Sequence, residues 1–443
     1  MEDYKAFFAG KRITLMGLGL LGRGVGDARF LAQCGALLTV TDLKSEAELE
    51  SPLQELKAFP SITYHLGDHR LEDFQNKDLI IKAAGVPLDS PFVAEAKKNA
   101  IPVRMSADLF AELSGAMIVG ITGTRGKSTV AHLIAHILKT AGRKVLLGGN
   151  IRGISTLAQL EEVTPQTIAV LELDSWQLQG FGEIKVSPHI VVFTTFMPDH
   201  MNYYKNSMKL YFADKANIFI NQQQKDFLIL GEQVAPAINE YGYQSKIKSQ
   251  TIVAGTKDIP SDWTLEIPGE HNRANAGTAA AAARALGIEE NNIQKAIESF
   301  EGVPGRLQLI KEIRGIKIYN DTTATVPEAT LAALRAVGDT TKKNIVLIMG
   351  GADKNLDMRA LIAEIPKYCK KVLLLAGTGT ERIKNELTGA RVYDSLAGAV
   401  HDALQSAEAG DVALLSPAFA SFGMFKNEYD RGEQFNSLVA NEK

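Results

Sequence analysis

Short hydrophobic runs alternate with longer amphipathic segments along the first hundred residues of the chain. The runs predict strands over 12–17, 36–42, 61–67, 78–85 and 101–106. The segments between them carry apolar residues at helical spacing. Strands that alternate with helices in this way are typical of βαβ units and a parallel sheet.

The same alternation starts again near Ala116 and continues for about 140 residues. Further strands are predicted over 117–123, 167–174, 190–196, 227–231 and 250–255. An amphipathic helix is predicted over 127–141, with Gly142 as its stop signal. The segment 272–288 is rich in alanine and predicts another helix.

Turn residues over 302–306 (GVPGR) indicate a second boundary. Beyond it, strands are predicted over 316–321, 344–351, 371–377 and 412–418, again separated by helices. The sequence therefore predicts an α/β protein of three domains. Their predicted bounds are 1–110, 111–303 and 304–443.

Composition narrows the class of protein. The net charge of -3 gives no general attraction for nucleic acid or anionic membranes. Cys34 and Cys369 are the only cysteines, so a disulfide framework is excluded and a reducing compartment is expected. No uncharged apolar stretch reaches the ~18–20 residues of a membrane span, and the N-terminus lacks the apolar core of a signal peptide. We therefore expect a soluble, cytoplasmic protein.

The first of two glycine loops follows the first predicted strand. Gly17, Gly19 and Gly22 form GxGxxG, and Asp42 ends the next strand 20 residues beyond Gly22. That spacing is typical of dinucleotide binding, in which the acid contacts a ribose. A strand-to-helix turn without a ligand, or a site for another nucleotide diphosphate, fits the same residues.

The second glycine loop, GTRGKST over 123–129, carries more chemistry. Its glycines let the backbone approach an anion, Lys127 supplies a charge for β/γ-phosphates, and Ser128 or Thr129 can reach Mg²⁺. The strict Walker pattern fails, because Ile121 occupies the position of its first glycine. Strand, loop, lysine, hydroxyls and helix still agree, so we predict a nucleoside triphosphate site here.

Several further segments share a family's order and spacing. They are GGNIRG (148–153), LELDSWQL (171–178), MPDHMNYY (197–204), ADKANIF (213–219), GEHNRAN (269–275), PGR (304–306), YNDTTAT (319–325), GGADK (350–354) and 415–435. Together with GTRGKST they resemble the Mur ligase family of ATP-dependent, amide-forming enzymes over essentially the whole chain. The segment 415–435 is most similar to the D-glutamate-adding members.

The resemblance implies a reaction in peptidoglycan precursor synthesis. UDP-N-acetylmuramoyl-L-alanine would be activated by ATP as an acyl phosphate, and the amine of D-glutamate would then displace phosphate. The implied cofactors are ATP and Mg²⁺, and the implied oligomeric state is a monomer. The first glycine loop would then hold a UDP-sugar, and the second would hold ATP.

The resemblance also assigns residues to the ATP and metal sites. Glu172 ends one predicted strand and His200 follows another, and both would serve Mg²⁺ with Ser128. Lys215 would join them as a carbamate. On pattern alone, Glu172 would cap a helix, His200 would be a solvated loop residue and Lys215 a solvated helix residue. The residues implied for ATP are Gly123, Thr124, Gly126, Lys127, Ser128, Thr129, Asn272, Asn275, Arg306 and Asp321. The two asparagines are expected to begin the alanine-rich helix as capping amides.

Two further sets of residues are implied for the other substrates. Those for the UDP-sugar are Gly19, Leu20, Leu21, Asp42, Leu43, Asn150 and Gln177. The residues implied to bind the carboxylates of the incoming amino acid are Thr325, Lys354 and Ser421. His132 and His136 have zinc-site spacing, but Leu133 replaces the glutamate that a zincin needs, so we predict plain helix-face residues.

Four positions depart from the family's usual residues. Thr323 stands in place of a lysine, Asp174 of a serine, Thr195 of an asparagine and Glu428 of a phenylalanine. They leave open the identity and handedness of the added amino acid: L-glutamate, another acidic residue, or a folylpolyglutamate synthase-like activity. A nicotinamide-dependent oxidoreductase using the first loop, and a nucleotide-binding regulator without turnover, are the remaining alternatives.

Overall fold

Two compact units make up the chain, and the computed structural model describes residues 3–442. The first unit runs to Pro260 and includes Asn275–Ala296. The second comprises Ser261–Ala274 and the chain from Ile297 onward. The described residues form three sheets, two in the first unit and one in the second, so the predicted α/β class is confirmed.

The first sheet is five-stranded and parallel, in the order β3-β2-β1-β4-β5. Its strands are β1 Arg12–Met16, β2 Leu37–Asp42, β3 Thr63–Leu66, β4 Leu79–Lys82 and β5 Val103–Arg104. Its helices are α1 Tyr4–Phe8, α2 Arg23–Gln33, α3 Glu50–Leu56, α4 Pro91–Lys98 and α5 Ser106–Leu113. The strand order reverses between β1 and β4, where a crevice opens at the carboxyl ends of the strands.

The second sheet has six parallel strands in the order β11-β10-β9-β6-β8-β7. They are β6 Met117–Thr122, β7 Val145–Gly149, β8 Ile168–Glu172, β9 Ile190–Phe193, β10 Phe227–Gly231 and β11 Gln250–Ala254. The helices are α6 Lys127–Thr140, α7 Ser175–Glu183, α8 Met208–Ala216, α9 Ala235–Glu240, α10 Glu270–Ala285 and α11 Glu290–Glu298. The central strands are buried on both faces, as in covered parallel sheets, which explains their continuous apolar runs.

The third sheet also has six strands, in the order β12-β13-β17-β14-β15-β16. They are β12 Gln308–Ile313, β13 Ile316–Asn320, β14 Ile345–Gly350, β15 Cys369–Leu375, β16 Arg391–Tyr393 and β17 Val412–Leu415, with β12 antiparallel to β13. The helices are α12 Pro327–Val337, α13 Arg359–Tyr368, α14 Thr378–Ile383, α15 Leu396–Ser406 and α16 Glu428–Asn441.

Three strands were missing from the sequence prediction: β7, β12 and β16. Strand β7 ends in two glycines that resemble a loop, and the edge strands β12 and β16 are short or largely exposed. The chain leaves the first sheet at Arg104 and enters the second at Met117, and it passes from Ala254 to Gln308 before the third. The predicted bounds at 110 and 303 stay predictions. Within residues 3–442, no helix is both long enough and apolar enough to cross a membrane.

Candidate active site

The first glycine loop lies at the reversal point of the first sheet. Gly17, Gly19 and Gly22 have positive φ angles of 97°, 65° and 81°, which favour glycine. Asp42 is buried, and its two carboxylate oxygens accept hydrogen bonds from the Gly19 and Lys44 amides, each at 2.9 Å. Asp42 therefore stabilises the conformation of the first glycine loop through its hydrogen bond with Gly19.

A cavity of about 400 Å³ opens beside this loop. Its lining includes six of the seven residues assigned to the UDP-sugar: Gly19, Leu20, Leu21, Asp42, Asn150 and Gln177. Leu43 is not among the lining residues, and it is 67% exposed. Arg23, which the sequence reading missed, lines the cavity and donates a hydrogen bond to Asn150. Its position directly after GxGxxG was the available signal.

The second glycine loop joins β6 to α6. Gly126, in the left-handed region at φ 86°, directly precedes the helix, which begins at Lys127. A Cβ at Gly126 would clash with the Asn275 carboxamide, and one at Gly123 would clash with Thr194. Glycine fits these two positions, where a side chain would displace its neighbours. Lys127 folds over the loop and donates to the Gly123 and Thr124 carbonyls at 3.1 and 3.2 Å.

Ser128 and Glu172 meet at the carboxyl edge of the second sheet. The Ser128 hydroxyl donates to Glu172 Oε2 at 2.6 Å, and both side chains are buried. Glu172 is the last residue of β8, so the expectation that it caps a helix is wrong. The helix α7 is capped by Asp174, whose carboxylate accepts from the Gln177 amide while the Gln177 side chain accepts from the Asp174 amide. A serine can form the same cap, which accounts for this departure from the family.

His200 lies in the loop after β9 with a positive φ of 54°. Its ring packs on Trp176, with centroids 4.7 Å apart, and its side chain is 41% exposed. Burial lowers the pKa of His200, and the charge of Lys127 acts in the same direction, while the Asp199 carboxylate opposes the shift. The neutral imidazole, the form that binds metals, is therefore favoured.

Lys215 is almost completely buried near the end of α8. Its ammonium donates to the Gly123 carbonyl at 2.9 Å and to Thr122 Oγ1 at 3.3 Å, so it lies beneath the second glycine loop. Burial lowers its pKa well below the ordinary value, and the charge of Lys127 acts in the same direction. The expectation of a solvated lysine is wrong. Helical spacing alone did not reveal that this face of α8 packs inward.

Arg125 is a second charged residue that the sequence reading missed. Its guanidinium donates to Asp199 Oδ2 at 2.8 Å, and Asp199 Oδ1 accepts from the backbone amide of His200. Thr195 Oγ1 accepts from the Arg125 amide at 2.8 Å. These contacts join the second glycine loop to the loop that carries His200. Arg125 stands inside GTRGKST, and that position was the available signal.

Two predicted asparagines lie inside a helix rather than at its start. The helix α10 begins at Glu270, two residues before Asn272, so the capping expectation is wrong. Both side chains are buried, and Asn272 donates to the Pro268 carbonyl at 2.8 Å. Asn275 lies against Gly126 of the second glycine loop, within the same compact unit.

The second unit contains the remaining predicted residues. Lys354 Nζ donates to Thr325 Oγ1 at 2.9 Å, and Ser421 is buried in the adjoining segment, where Ala352 and Ala420 exchange two backbone hydrogen bonds. These contacts bring the three residues assigned to the amino acid into neighbouring loops. Arg306 is exposed on a turn.

Asp321 is buried and accepts from Ser416 Oγ and from the Leu307 amide. Thr323 donates to the Gly305 carbonyl at 3.0 Å. Glu428 begins α16, and its carbonyl accepts from Thr322.

A metal site made of three or more His, Cys, Asp or Glu side chains is absent from residues 3–442. The set predicted for Mg²⁺ consists of Ser128, Glu172, His200 and a modified Lys215, and only two of these belong to those four residue types. Oxygen ligands such as a hydroxyl and a carboxylate suit Mg²⁺. The assignment of this set stays a prediction.

Known proteins resemble the chain over nearly its full length. Three family descriptions match: a Mur ligase MurD-like N-terminal domain over residues 11–105, a Mur ligase middle domain over 121–283, and a Mur ligase glutamate ligase domain over 305–419. UDP-N-acetylmuramoylalanine–D-glutamate ligase from Roseiflexus sp. is 36% identical, covering 97% of this chain and 98% of its own length. The enzyme of that name from Borreliella afzelii is 35% identical, with 96% of each chain covered.

Solved structures show the same fold. The UDP-N-acetylmuramate–alanine ligase from Thermotoga maritima superposes with a TM-score of 0.64 at 17% identity, covering 98% of this chain and all of the other. A folylpolyglutamate synthase from the same organism gives 0.55 at 14% identity, over 76% of this chain and 92% of its own. At these identities the likeness concerns the fold alone. The domain matches and the full-length relatives place the chain in the Mur ligase family.

Proposed function

We propose that the protein is an ATP-dependent ligase that joins D-glutamate to UDP-N-acetylmuramoyl-L-alanine in peptidoglycan precursor synthesis. The observation that carries the proposal is the buried hydrogen bond between Ser128 of the second glycine loop and Glu172 at the end of β8. The full-length relatives of the chain bear this activity in their names. We further propose that the enzyme acts as a monomer in the cytoplasm.

The second glycine loop is proposed to bind the ATP phosphates. Its glycines expose backbone amides at the start of α6, where the helix dipole favours an anion. A phosphate oxygen is a stronger partner for the Lys127 ammonium than the two loop carbonyls to which it donates. The Asn275 side chain borders the same loop. The assignment of Asn272, Arg306 and Asp321 to ATP rests on the family resemblance.

The residues at the sheet edge fit a divalent cation. Ser128 and Glu172 supply hard oxygen ligands, and His200 supplies a neutral imidazole. Bound Mg²⁺ would offset the negative charge that gathers when a carboxylate approaches a phosphate. Lys215 fits this set as a carbamate, because its buried amine favours the neutral form that reacts with CO₂.

The cavity at the first glycine loop is proposed to hold the UDP-sugar. Arg23 at the start of α2 supplies a cation for a diphosphate, and Asn150 and Gln177 supply amides for the sugar. The Asp42 carboxylate already accepts hydrogen bonds from two backbone amides, that of Gly19 in the first glycine loop and that of Lys44. We therefore assign Asp42 to ordering the loop as well as to the nucleoside.

The amino acid is proposed to bind in the second unit. Lys354, Thr325 and Ser421 lie in neighbouring loops and provide one cation and two hydroxyls for carboxylates. Thr323 and Glu428 make this set less cationic than the family's usual one, so L-glutamate and other acidic amino acids stay as alternatives. Folylpolyglutamate synthases share only the fold.

Phosphate release is the direct test of the proposal. Purified protein is mixed with ATP, Mg²⁺, UDP-N-acetylmuramoyl-L-alanine and either D- or L-glutamate. D-Glutamate should give rapid phosphate release that depends on all four components. Release only with L-glutamate, or only with a folate substrate, would replace the proposed amino acid or acceptor.

Thermal stability separates a ligase from an oxidoreductase. A ligand that binds only the folded protein raises its melting temperature. UDP-N-acetylmuramoyl-L-alanine should therefore stabilise the protein, and NADH should not. Stabilisation by NADH alone would favour the oxidoreductase.

A further inference from the structure

Trp176 connects the cavity to the loop that carries His200. It is the second residue of α7 and follows Glu172 by four positions. Its side chain lines the 400 Å³ cavity, and its ring packs on His200 with centroids 4.7 Å apart. Tyr203 packs edge-on against the same ring at 5.7 Å. The ring contacts with His200 and Tyr203 fix the orientation of the Trp176 side chain at the edge of the cavity.

The indole N–H of Trp176 is buried and lacks an acceptor among residues 3–442. Buried donors are nearly always paired, and an unpaired one is costly. On the same helix, the Gln179 Oε1 atom also lacks a donor among the described residues, whereas Asp174 and Gln177 satisfy each other in the cap of α7.

We propose that Trp176 binds the acyl end of the UDP-linked substrate, with its indole N–H donating to a carbonyl or carboxylate oxygen there. This inference rests on the proposed function. The acyl end is the part of that substrate that must approach the second glycine loop. Trp176 lines the cavity and contacts His200, whose loop is joined to that glycine loop by the Arg125–Asp199 pair. The oxygen satisfies the donor that the protein alone leaves unpaired. A phenyl ring fills similar space and provides no donor.

Trp176→Phe tests the hydrogen bond while keeping an aromatic ring against His200. The chain has only one other tryptophan, Trp263, which is 5% exposed and belongs to the second unit, so Trp263→Phe is a matched control. Trp176→Phe should raise the KM for UDP-N-acetylmuramoyl-L-alanine about three- to tenfold, the effect of one lost hydrogen bond. The KM for ATP should stay unchanged, as should both constants in Trp263→Phe.

Nuclear magnetic resonance of the indole N–H groups provides a second measurement on the unmodified protein. Two ¹⁵N-indole signals are expected, and the Trp176→Phe variant assigns them. UDP-N-acetylmuramoyl-L-alanine should move the Trp176 proton signal downfield, as a newly formed hydrogen bond requires, and leave the Trp263 signal in place. UDP alone, which lacks the acyl end, should not produce this shift.

The outcomes distinguish the inference from the function on which it rests. If the unmodified protein turns over, and Trp176→Phe keeps its KM while the Trp176 signal does not move, the inference is overturned and the function stands. If UDP alone moves the Trp176 signal as far as the full substrate, the contact belongs to the nucleotide and the inference is likewise overturned. If the unmodified protein releases no phosphate with either glutamate isomer, the proposed function fails and the inference fails with it.

Discussion

The Ser128 hydroxyl donates a 2.6 Å hydrogen bond to the Glu172 carboxylate, although 44 residues separate the two in sequence. Ser128 lies in the first turn of α6, and Glu172 ends the neighbouring strand β8. The parallel register that pairs Ile121 of β6 with Glu172 of β8 brings them to one edge of the sheet. This edge is where we propose that phosphates and Mg²⁺ bind.

Lys127→Ala should abolish phosphate release. The ammonium lies over the loop carbonyls, where it would meet the β/γ-phosphates. Lys127 is the one lysine within residues 123–129. Binding of UDP-N-acetylmuramoyl-L-alanine, measured by calorimetry, should be largely retained, because the cavity is lined by other residues. Near-normal turnover would contradict the assignment of this loop to ATP.

Lys215→Ala should be nearly inactive, and added short carboxylic acids should restore part of the activity. A carboxylic acid can replace the anionic group of a carbamate at the position of the buried amine. Because the pKa of Lys215 is lowered, the neutral amine is more abundant than in an ordinary lysine. Acidification reduces it and should weaken CO₂ uptake. Mass spectrometry and steady-state rates with and without bicarbonate check both points. An unmodified amine at full turnover would exclude the carbamate.

Asp321→Asn should make stability less dependent on pH. Burial raises the pKa of Asp321 to about 7, although hydrogen bonds from Ser416 and Leu307 oppose the shift. The folded protein therefore binds this proton more tightly than the unfolded chain, whose carboxyl titrates near 4. This stabilisation is present at low pH and is lost as pH rises through about 7.

The measurement is the melting temperature of variant and parent between pH 5 and pH 8. The difference, variant minus parent, should grow with pH by about 2 °C or more. Ser416→Ala removes one hydrogen bond to the carboxylate and keeps the titrating group, so it should retain the parent's slope. A difference between Asp321→Asn and the parent that stays constant with pH would contradict the raised pKa.

Glu428→Phe should lower the KM for D-glutamate. A carboxylate near a bound dicarboxylic amino acid opposes its binding by about 1 kcal/mol in partial burial. Glu428 begins α16 and is half-buried, next to segments that carry the proposed amino-acid residues. Glu428→Gln, which removes only the charge, should give a smaller improvement in the same direction. Unchanged kinetics in both variants would place residue 428 outside the site.

Much of the fold was predictable because it is encoded locally. Continuous apolar runs marked the buried central strands, and glycines marked the turns that need positive φ angles, as at Gly126. Strands β12 and β16 were not predictable because they bury too little apolar surface to leave a pattern, and β7 was not because its two terminal glycines resemble a loop. The two glycine loops and the family were evident from the sequence for the same reason: their motifs are contiguous.

The sequence by itself determined most of the strands and helices, the two loops and most of the candidate residues. Only the tertiary structure decided how those residues are used. The buried position of Lys215 depends on contacts with Thr122 and Gly123, more than ninety residues earlier, and helical periodicity cannot report such a contact. The unpaired indole of Trp176 likewise becomes visible only when every neighbouring acceptor has a position in space. Burial and pairing arise from elements that are distant in sequence, and they set the charge state and hydrogen bonding on which the chemistry depends.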